Sequence, residues 1–148
     1  MPEPMATFRL DKFETDRVIA AIRAAESETS GEIRVHVQDT LAGPVYDEAA
    51  KVFLQLGMQK TRDRNGVLLF IASGQRQFAI LGDSGINRHV PPDFWADCKD
   101  TLHQHFVMGH FAEGICETLV RIGEKLKVFF PIAGDDQNEL ANDITFSP

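Results

Sequence analysis

Apolar residues recur along this chain with two different periods, and each change of period marks a predicted element. The first segment repeats apolar residues at three- and four-residue steps, which predicts a helix from about Asp11 to Glu28. Asp11 and Glu14 have the spacing of a capping box at its start. Ser30-Gly31 then favours a turn into the next element.

Two later segments have strand patterns. Residues Glu32–Gln38 alternate strictly between apolar and polar, which predicts a half-exposed strand. Val67–Ala72 is continuously apolar, as is typical of a central strand covered on both faces. Ser73-Gly74-Gln75 favours a turn, so Arg76–Leu81 is expected to return as the second strand of a hairpin.

Three further segments have helical periodicity. One follows the breaker Gly43-Pro44 and ends at Gly57, and the next begins after Pro91-Pro92. The last carries apolar residues at three- and four-residue steps from Phe111 to Leu126 and ends before Pro131. The predicted order is therefore α-β-α-β-β-α-α, an α/β fold in which a mixed sheet is sandwiched by helices.

Length and composition fit one domain, which we place at residues 8–130. At 148 residues the chain is long enough to bury one substantial core. Residues 131–148 are polar and rich in acids, and we expect them to form an acidic C-terminal tail or a strap. No stretch approaches the roughly 18–20 apolar residues of a membrane span, so we expect a soluble, cytoplasmic protein without its own membrane anchor.

Charge narrows the range of partners. The formal net charge is −7 and the isoelectric point is near 5.1. A protein with this negative field repels a phosphate backbone, and only the run of Lys60, Arg62 and Arg64 is densely basic. Nucleic acid is therefore not an expected partner, and a small polar ligand or another protein is.

Three acids from separate segments are predicted to meet at one end of the sheet. Glu32 starts the first strand, Asp63 comes just before the second, and Asp83 follows the third. A helical crossover makes the first two strands parallel, and the hairpin brings the end of the third strand to the same edge. The loop Gly82–Asn87 therefore lies beside the other two acids.

Carboxylates gathered in this way favour a hard divalent cation such as Ca²⁺ or Mg²⁺. Asn65, Ser84 and Asn87 could complete its oxygen ligands. The alternative interpretation is that the acids only form turns and that Asp63 pairs with Arg62 or Arg64.

Other chemistries find little support in the sequence. The phosphate loop, the dinucleotide-binding fingerprint and the nucleophile elbow are missing, so no nucleotide or redox cofactor is expected. Cys98 and Cys116 lack CxxC spacing and lie on apolar helical faces, as buried free thiols do. His103 and His105 point to different helix faces and His110 lies beyond Gly109, so a zinc site is not expected, and His36 and His89 are interpreted as surface histidines.

Three stretches of the chain resemble the TPM domain family. They are Thr29–Val35 with its Ser-Gly-Glu start, Arg64–Phe70 with its Asn-Gly-Val-Leu-Leu run, and Ala79–Ile86 with its glycine loop. The resemblance runs in order from about residue 8 to 130. It implies a Rossmann-like α/β sandwich.

The family resemblance also implies some functional expectations. Plant thylakoid members are associated with acid phosphatase activity, metal binding and photosystem II repair, and other members are membrane-tethered or accessory proteins. Carried over by position, the family's acidic edge falls on Glu32, Asp63 and Asp83. Many members have an acid directly before the Asn-Gly pair, whereas this chain has Arg64 there. The chain resembles the short standalone branch without a membrane helix.

These observations leave three functional hypotheses. The first is an accessory or binding domain with a Ca²⁺ or Mg²⁺ site at Glu32, Asp63 and Asp83. The second is a metal-assisted phosphomonoester hydrolase, an acid phosphatase in which the cation activates water. The third is a protein–protein interaction module that uses the strand Glu32–Gln38 at an open sheet edge.

Overall fold

The computed structural model describes residues 8–132 and 144–147. Two short 3₁₀ turns, at Met58–Lys60 and Ser73–Gln75, flank the second strand. The helices and strands in chain order are α1 (Lys12–Glu26), β1 (Glu32–Gln38), α2 (Val45–Gln55), β2 (Gly66–Ala72), β3 (Gln77–Gly82), the single turn α3 (Ser84–Asn87), α4 (Phe94–Val107), α5 (Phe111–Phe129) and β4 (Ile144–Ser147).

The first helix begins as its sequence predicts. The Glu14 backbone N–H donates to Asp11 Oδ1 at 2.7 Å, and the Asp11 N–H donates to Glu14 Oε1 at 3.2 Å. This reciprocal pair satisfies two amides that the helix itself leaves unbonded. The predicted capping box is confirmed.

The four strands form one mixed sheet in the order β3-β2-β1-β4. β1 is parallel to both β2 and β4, and β2 and β3 form the predicted antiparallel hairpin. The parallel pairing of β1 and β2 follows from the crossover through α2. The predicted α/β fold, a mixed sheet between helices, is confirmed.

Buried apolar residues pack on both faces of this sheet. Ile33, Val35 and Val37 of β1 belong to the larger group, to which α1, α4 and α5 also contribute. Leu68 and Phe70 of β2 belong to a smaller group covered by α2. Because alternate residues of β2 face different layers, its sequence must be apolar throughout.

The first strand differs from its prediction as a half-exposed strand. β4 pairs with Val35–Gln38, so β1 is an inner strand with β2 on its other side. His36 is only 4% exposed, and its Nδ1 lies 2.7 Å from Thr145 Oγ1 of β4. Burial lowers the pKa of His36. The interpretation of His36 as a surface histidine was wrong because β4, a four-residue strand that follows a polar stretch, covers it.

The predicted acidic tail is described only at its two ends. Pro131 and Ile132 follow α5, and Ile144–Ser147 forms β4. All four of its acidic residues lie outside the described residues: Asp135, Asp136, Glu139 and Asp143. Within the described part of the chain, no helix is both long enough and apolar enough to cross a membrane.

Candidate functional site

The start of β1, the start of β2 and the end of β3 meet at one edge of the sheet. Glu32 faces Gly66 in the register of β1 and β2. The Asp83 N–H donates to the Gly66 carbonyl at 2.9 Å. The segments that carry Glu32, Asp63 and Asp83 therefore lie together, as the connectivity predicts. We name this region the acidic edge and define it by Glu26, Ser30, Glu32, Asp63, Arg64, Asn65 and Asp83.

Asp83 is held by an arginine. Arg64 Nε lies 2.7 Å from Asp83 Oδ2, and Arg64 Nη2 lies 2.9 Å from Asp83 Oδ1. Oδ1 also accepts the Ser84 N–H at 2.7 Å, which caps α3. The Asp83 side chain is 7% exposed, whereas that of Arg64 is half exposed. This bidentate pair raises the pKa of Arg64 and uses both Asp83 oxygens.

Backbone packing holds the two loops of this pair together. Arg64 has the left-handed φ of 51°, and its carbonyl accepts the Gly85 N–H at 2.8 Å. A Cβ at position 85 would overlap the carbonyls of Asp63 and Arg64. Gly85 is therefore required by the close approach of the two backbones.

A chain of hydrogen bonds leads from Asn65 to Asp63. Asn65 is 1% exposed, and its Nδ2 donates to Ser30 Oγ at 3.2 Å. Ser30 Oγ in turn donates to Asp63 Oδ2 at 3.5 Å. Asp63 is partly exposed and also lies 3.6 Å from Arg62 Nη2. Asn65 Oδ1 is buried and has no hydrogen-bond partner.

Glu32 lies beside a second, partly buried acid, Glu26, which had no recognisable signal in the sequence. Glu32 is 2% exposed, and the carboxyl group of Glu26 lies against it. Glu26 Oε2 accepts the Ile33 N–H at 2.7 Å, whereas Oε1 is buried and accepts no hydrogen bond. Burial first, and then the neighbouring Glu32 carboxylate, raise the pKa of Glu26 to about 8.

The two remaining predicted ligands lie in the loop after β3. Ser84 is exposed and supplies its N–H to Asp83. Asn87 Nδ2 donates to the Gly82 carbonyl at 2.8 Å, and its Oδ1 accepts from Trp95 Nε1 at 2.8 Å. Both ends of the Asn87 amide therefore fasten the loop to β3 and α4.

Among the described residues, only His105, His110 and Glu113 bring three ligand atoms within 4.8 Å of one another. The carboxylates of Glu32, Asp63 and Asp83 are therefore not arranged around an empty ligand position. A cation that used all three would require Arg64 to leave Asp83.

The cysteines have the chemistry of unreactive thiols. Cys98 is buried, as predicted, and burial raises its pKa to about 11. Cys116 is only partly buried, and burial raises its pKa as well. Thiols with raised pKa values are largely protonated at neutral pH, which disfavours a role as nucleophiles.

Comparison with known proteins adds a family and a set of structural relatives. The model of the TPM domain family matches residues 8–125. The chain is similar to the NMR structure of the BA42 protein from the psychrophilic bacterium Bizionia argentinensis, with 38% identity and a TM-score of 0.87. That similarity covers 95% of this chain and 97% of the other. No curated protein matches the chain.

Two more distant solution structures share the fold. The N-terminal domain of a P. gingivalis protein has a TM-score of 0.66 at 22% identity, covering 80% of this chain and 77% of that one. The N-terminal domain of the cg2496 protein from Corynebacterium glutamicum has a TM-score of 0.63 at 13% identity, covering 80% of this chain and 74% of that one. At these identities the likeness concerns the fold alone.

Proposed function

The chain belongs to the TPM domain family, and we propose that it is a binding or accessory domain that holds Ca²⁺ or Mg²⁺ at the acidic edge. Its carboxylate ligands would be Glu32, Asp63 and Asp83. The observation that carries this proposal is the oxygen of Asn65, which is buried at this edge without a hydrogen-bond donor. A buried acceptor without a donor is costly, and a cation would satisfy it.

The other oxygens of the edge support the same assignment. Asp63 is partly exposed and linked to Asn65 through Ser30, so it is accessible to an ion from solvent. Glu26, beside Glu32, adds a further carboxyl group to this edge. Ca²⁺ and Mg²⁺ take carboxylate and amide oxygens as ligands, which are the groups gathered here.

Arginines limit how tightly this edge can bind a cation. Arg62 contacts Asp63, Arg64 holds Asp83, and Arg34 lies near enough to Glu26 to affect its pKa. Their positive charges offset much of the negative charge of the acids. We therefore expect a weak site, with a dissociation constant of about 10⁻⁴ to 10⁻³ M.

Calorimetric titration with CaCl₂ and MgCl₂ tests the proposal. Wild-type protein should bind one ion, and Asp63→Asn and Asp83→Asn should each weaken binding by about tenfold, which is about 1.4 kcal/mol. Asp100→Asn is the matched control, because Asp100 is exposed on α4. Absence of binding at millimolar metal, or equal affinity in all variants, would contradict the proposal.

One observation favours metal-assisted phosphomonoester hydrolysis as a second candidate. Arg64 is half exposed and lines a cavity of about 280 Å³ together with Asp83 and side chains of α2. A guanidinium beside a bound cation is suited to bind phosphoryl oxygens. Release of the chromophore from a chromogenic phosphomonoester, with added Mg²⁺, tests it. Activity that persists in both Asp63→Asn and Asp83→Asn would count against this site.

The strand-edge interaction hypothesis loses its support along Val35–Gln38. It required an open edge at Glu32–Gln38, and β4 covers residues Val35–Gln38 of that edge. A strand that already has two neighbours has no free main-chain groups for a third along the paired residues.

A further inference from the structure

A second group of metal-binding side chains lies at the turn between α4 and α5, remote from the acidic edge. α5 has 19 residues, and a helix of that length spans about 28 Å. The carbonyl of Phe130, at its far end, accepts the Ser30 N–H of the acidic edge at 3.0 Å. The turn is at the opposite end of this helix.

The turn itself brings two histidines together. Gly109 has a left-handed φ of 77°, which reverses the chain after α4. The His110 N–H then donates to the His105 carbonyl at 2.9 Å. Gly109, which in the sequence separates His110 from the α4 histidines, forms the turn that places His105 and His110 side by side.

Glu113 completes a set of three ligands. One ligand atom from each of His105, His110 and Glu113 lies within 4.8 Å of the others. His110 Nδ1 is 3.8 Å from Glu113 Oε2. This distance is too long for a hydrogen bond and close to the ~3.4 Å between two ligands of a tetrahedral zinc ion, whose bonds are about 2.0–2.1 Å.

Contacts from α5 fix the position of His105. Its Nε2 lies 2.6 Å from Glu117 Oε2, and the other oxygen of Glu117 is 3.9 Å from Arg121 Nη2. A Cβ at Gly114 would overlap the Cβ of His105, so this glycine allows the side chain to lie against α5. A carboxylate on one ring nitrogen is the arrangement that orients histidines for metal binding.

We propose that His105, His110 and Glu113 bind a borderline transition-metal ion, of which Zn²⁺ is the representative, and that this ion clamps α4 to α5. Two imidazoles and one carboxylate suit Zn²⁺ and related metals much better than Ca²⁺. Water would take the remaining position. Glu117 is a positioning residue that orients the His105 ring.

Zinc titration of the chelator-treated protein tests this proposal by calorimetry and by thermal unfolding. Wild-type protein should bind one Zn²⁺ with a rise in Tm, because the ion stabilises only the folded state. His110→Ala and Glu113→Gln should each lose at least about tenfold in affinity, and Glu117→Gln should lose about 10- to 100-fold. His110 and Glu113 are both more than half exposed, so their variants should fold.

His103→Ala is the matched control. His103 is exposed on the same helix two residues from His105 and is not part of the cluster. Its substitution should leave zinc affinity and the zinc-dependent rise in Tm unchanged. The proposal is overturned if wild-type protein does not bind zinc, if His110→Ala and Glu113→Gln bind as wild type does, or if His103→Ala loses as much as they do.

Discussion

The acidic edge and the α4–α5 turn are both candidate cation sites, yet they are built in opposite ways. The acidic edge joins three segments far apart in sequence, with Glu32 and Asn65 buried and Asp83 held by Arg64. The turn draws its ligands from nine consecutive residues, and His110 and Glu113 are more than half exposed. The first site depends on the tertiary fold, whereas the second depends on one glycine turn.

This difference has chemical and energetic consequences. Oxygen ligands at the edge favour hard cations, and imidazole ligands at the turn favour borderline metals. The buried acids of the edge also affect the free energy of unfolding of the whole domain, because a charged group shielded from water must be neutralised or paired. The exposed charged groups at the turn contribute little to this free energy.

The largest expected effect concerns Glu26 and pH. Glu26 ionises near its ordinary pKa of 4.5 in the unfolded chain but only near about 8 in the folded protein. Between these two pKa values the unfolded state binds fewer protons than the folded state. The contribution of Glu26 to the free energy of unfolding therefore falls as pH rises, by a few kcal/mol at most, and stays constant above about pH 8. Glu26→Gln should remove this slope.

Urea unfolding of wild type and Glu26→Gln across that pH range measures the effect as a difference between the two proteins. Glu113→Gln is the comparison from the α4–α5 turn and should retain the wild-type slope, since Glu113 is exposed. Equal slopes for wild type and Glu26→Gln would show that the Glu26 carboxyl is ionised in the folded protein.

The next effect concerns the close approach of two loops. Gly85→Ala places a methyl group against the carbonyls of Asp63 and Arg64, and the backbone must move to accept it. Overpacking of this kind costs about 1–3 kcal/mol of unfolding free energy. Gly43→Ala is the control, because its added methyl group meets nothing within 4 Å. Chemical unfolding of both variants measures the difference, and equal stability would contradict the packing at Gly85.

A smaller effect, on calcium affinity, is expected when Arg64 no longer pairs with Asp83. Arg64→Asn frees the Asp83 carboxylate and removes a positive charge, so calcium affinity at the acidic edge should rise by up to about tenfold. Asparagine tolerates the left-handed φ of 51° at this position. Arg76→Asn is the control, since Arg76 is an exposed arginine with a φ of 54° at the other end of β3.

The outcome for Arg64→Asn decides whether Asp83 is a ligand. A rise that disappears when Asp83→Asn is added assigns Asp83 to the cation. Unchanged or lower calcium affinity in Arg64→Asn would show that the ion pair has a structural role. Arginine and metal would then not compete for Asp83.

The smallest effect is expected at the α4–α5 turn without metal. His110→Ala and Glu113→Gln should each change the unfolding free energy of the chelator-treated protein by no more than about 0.5 kcal/mol, as exposed substitutions usually do. Thermal and urea unfolding measure this value. A loss above about 1 kcal/mol would mean that these side chains stabilise the fold without an ion.

Much of the fold was predictable because its signals are local. The apolar run Val67–Ala72 specifies a strand buried on both faces, and Asp11 with Glu14 specifies the start of α1. β4 was not predictable, since Ile144–Ser147 has only four residues, follows a polar stretch and becomes a strand only by pairing with β1. The same nonlocal pairing buries His36.

The candidate sites follow the same rule. The position of the acidic edge follows from strand order, but Glu26 was missed because it has the pattern of an ordinary acid at the end of a helix. Its partner, Glu32, is adjacent only after β1 turns back against α1. The pairing of His105 with His110 was not predicted, although a glycine just after a helix, here Gly109, is a signal for a left-handed turn.

The most direct test of the cation site is a pair of amide NMR titrations, one with CaCl₂ and one with ZnCl₂. Calcium at millimolar concentration should shift the amides of residues 30–32, 61–66 and 82–85 and leave those of 105–117 in place. Zinc should shift residues 105–117 first. A calcium titration without shifts at the acidic edge, or with shifts only at the α4–α5 turn, would contradict the assignment of a hard-cation site to Glu32, Asp63 and Asp83.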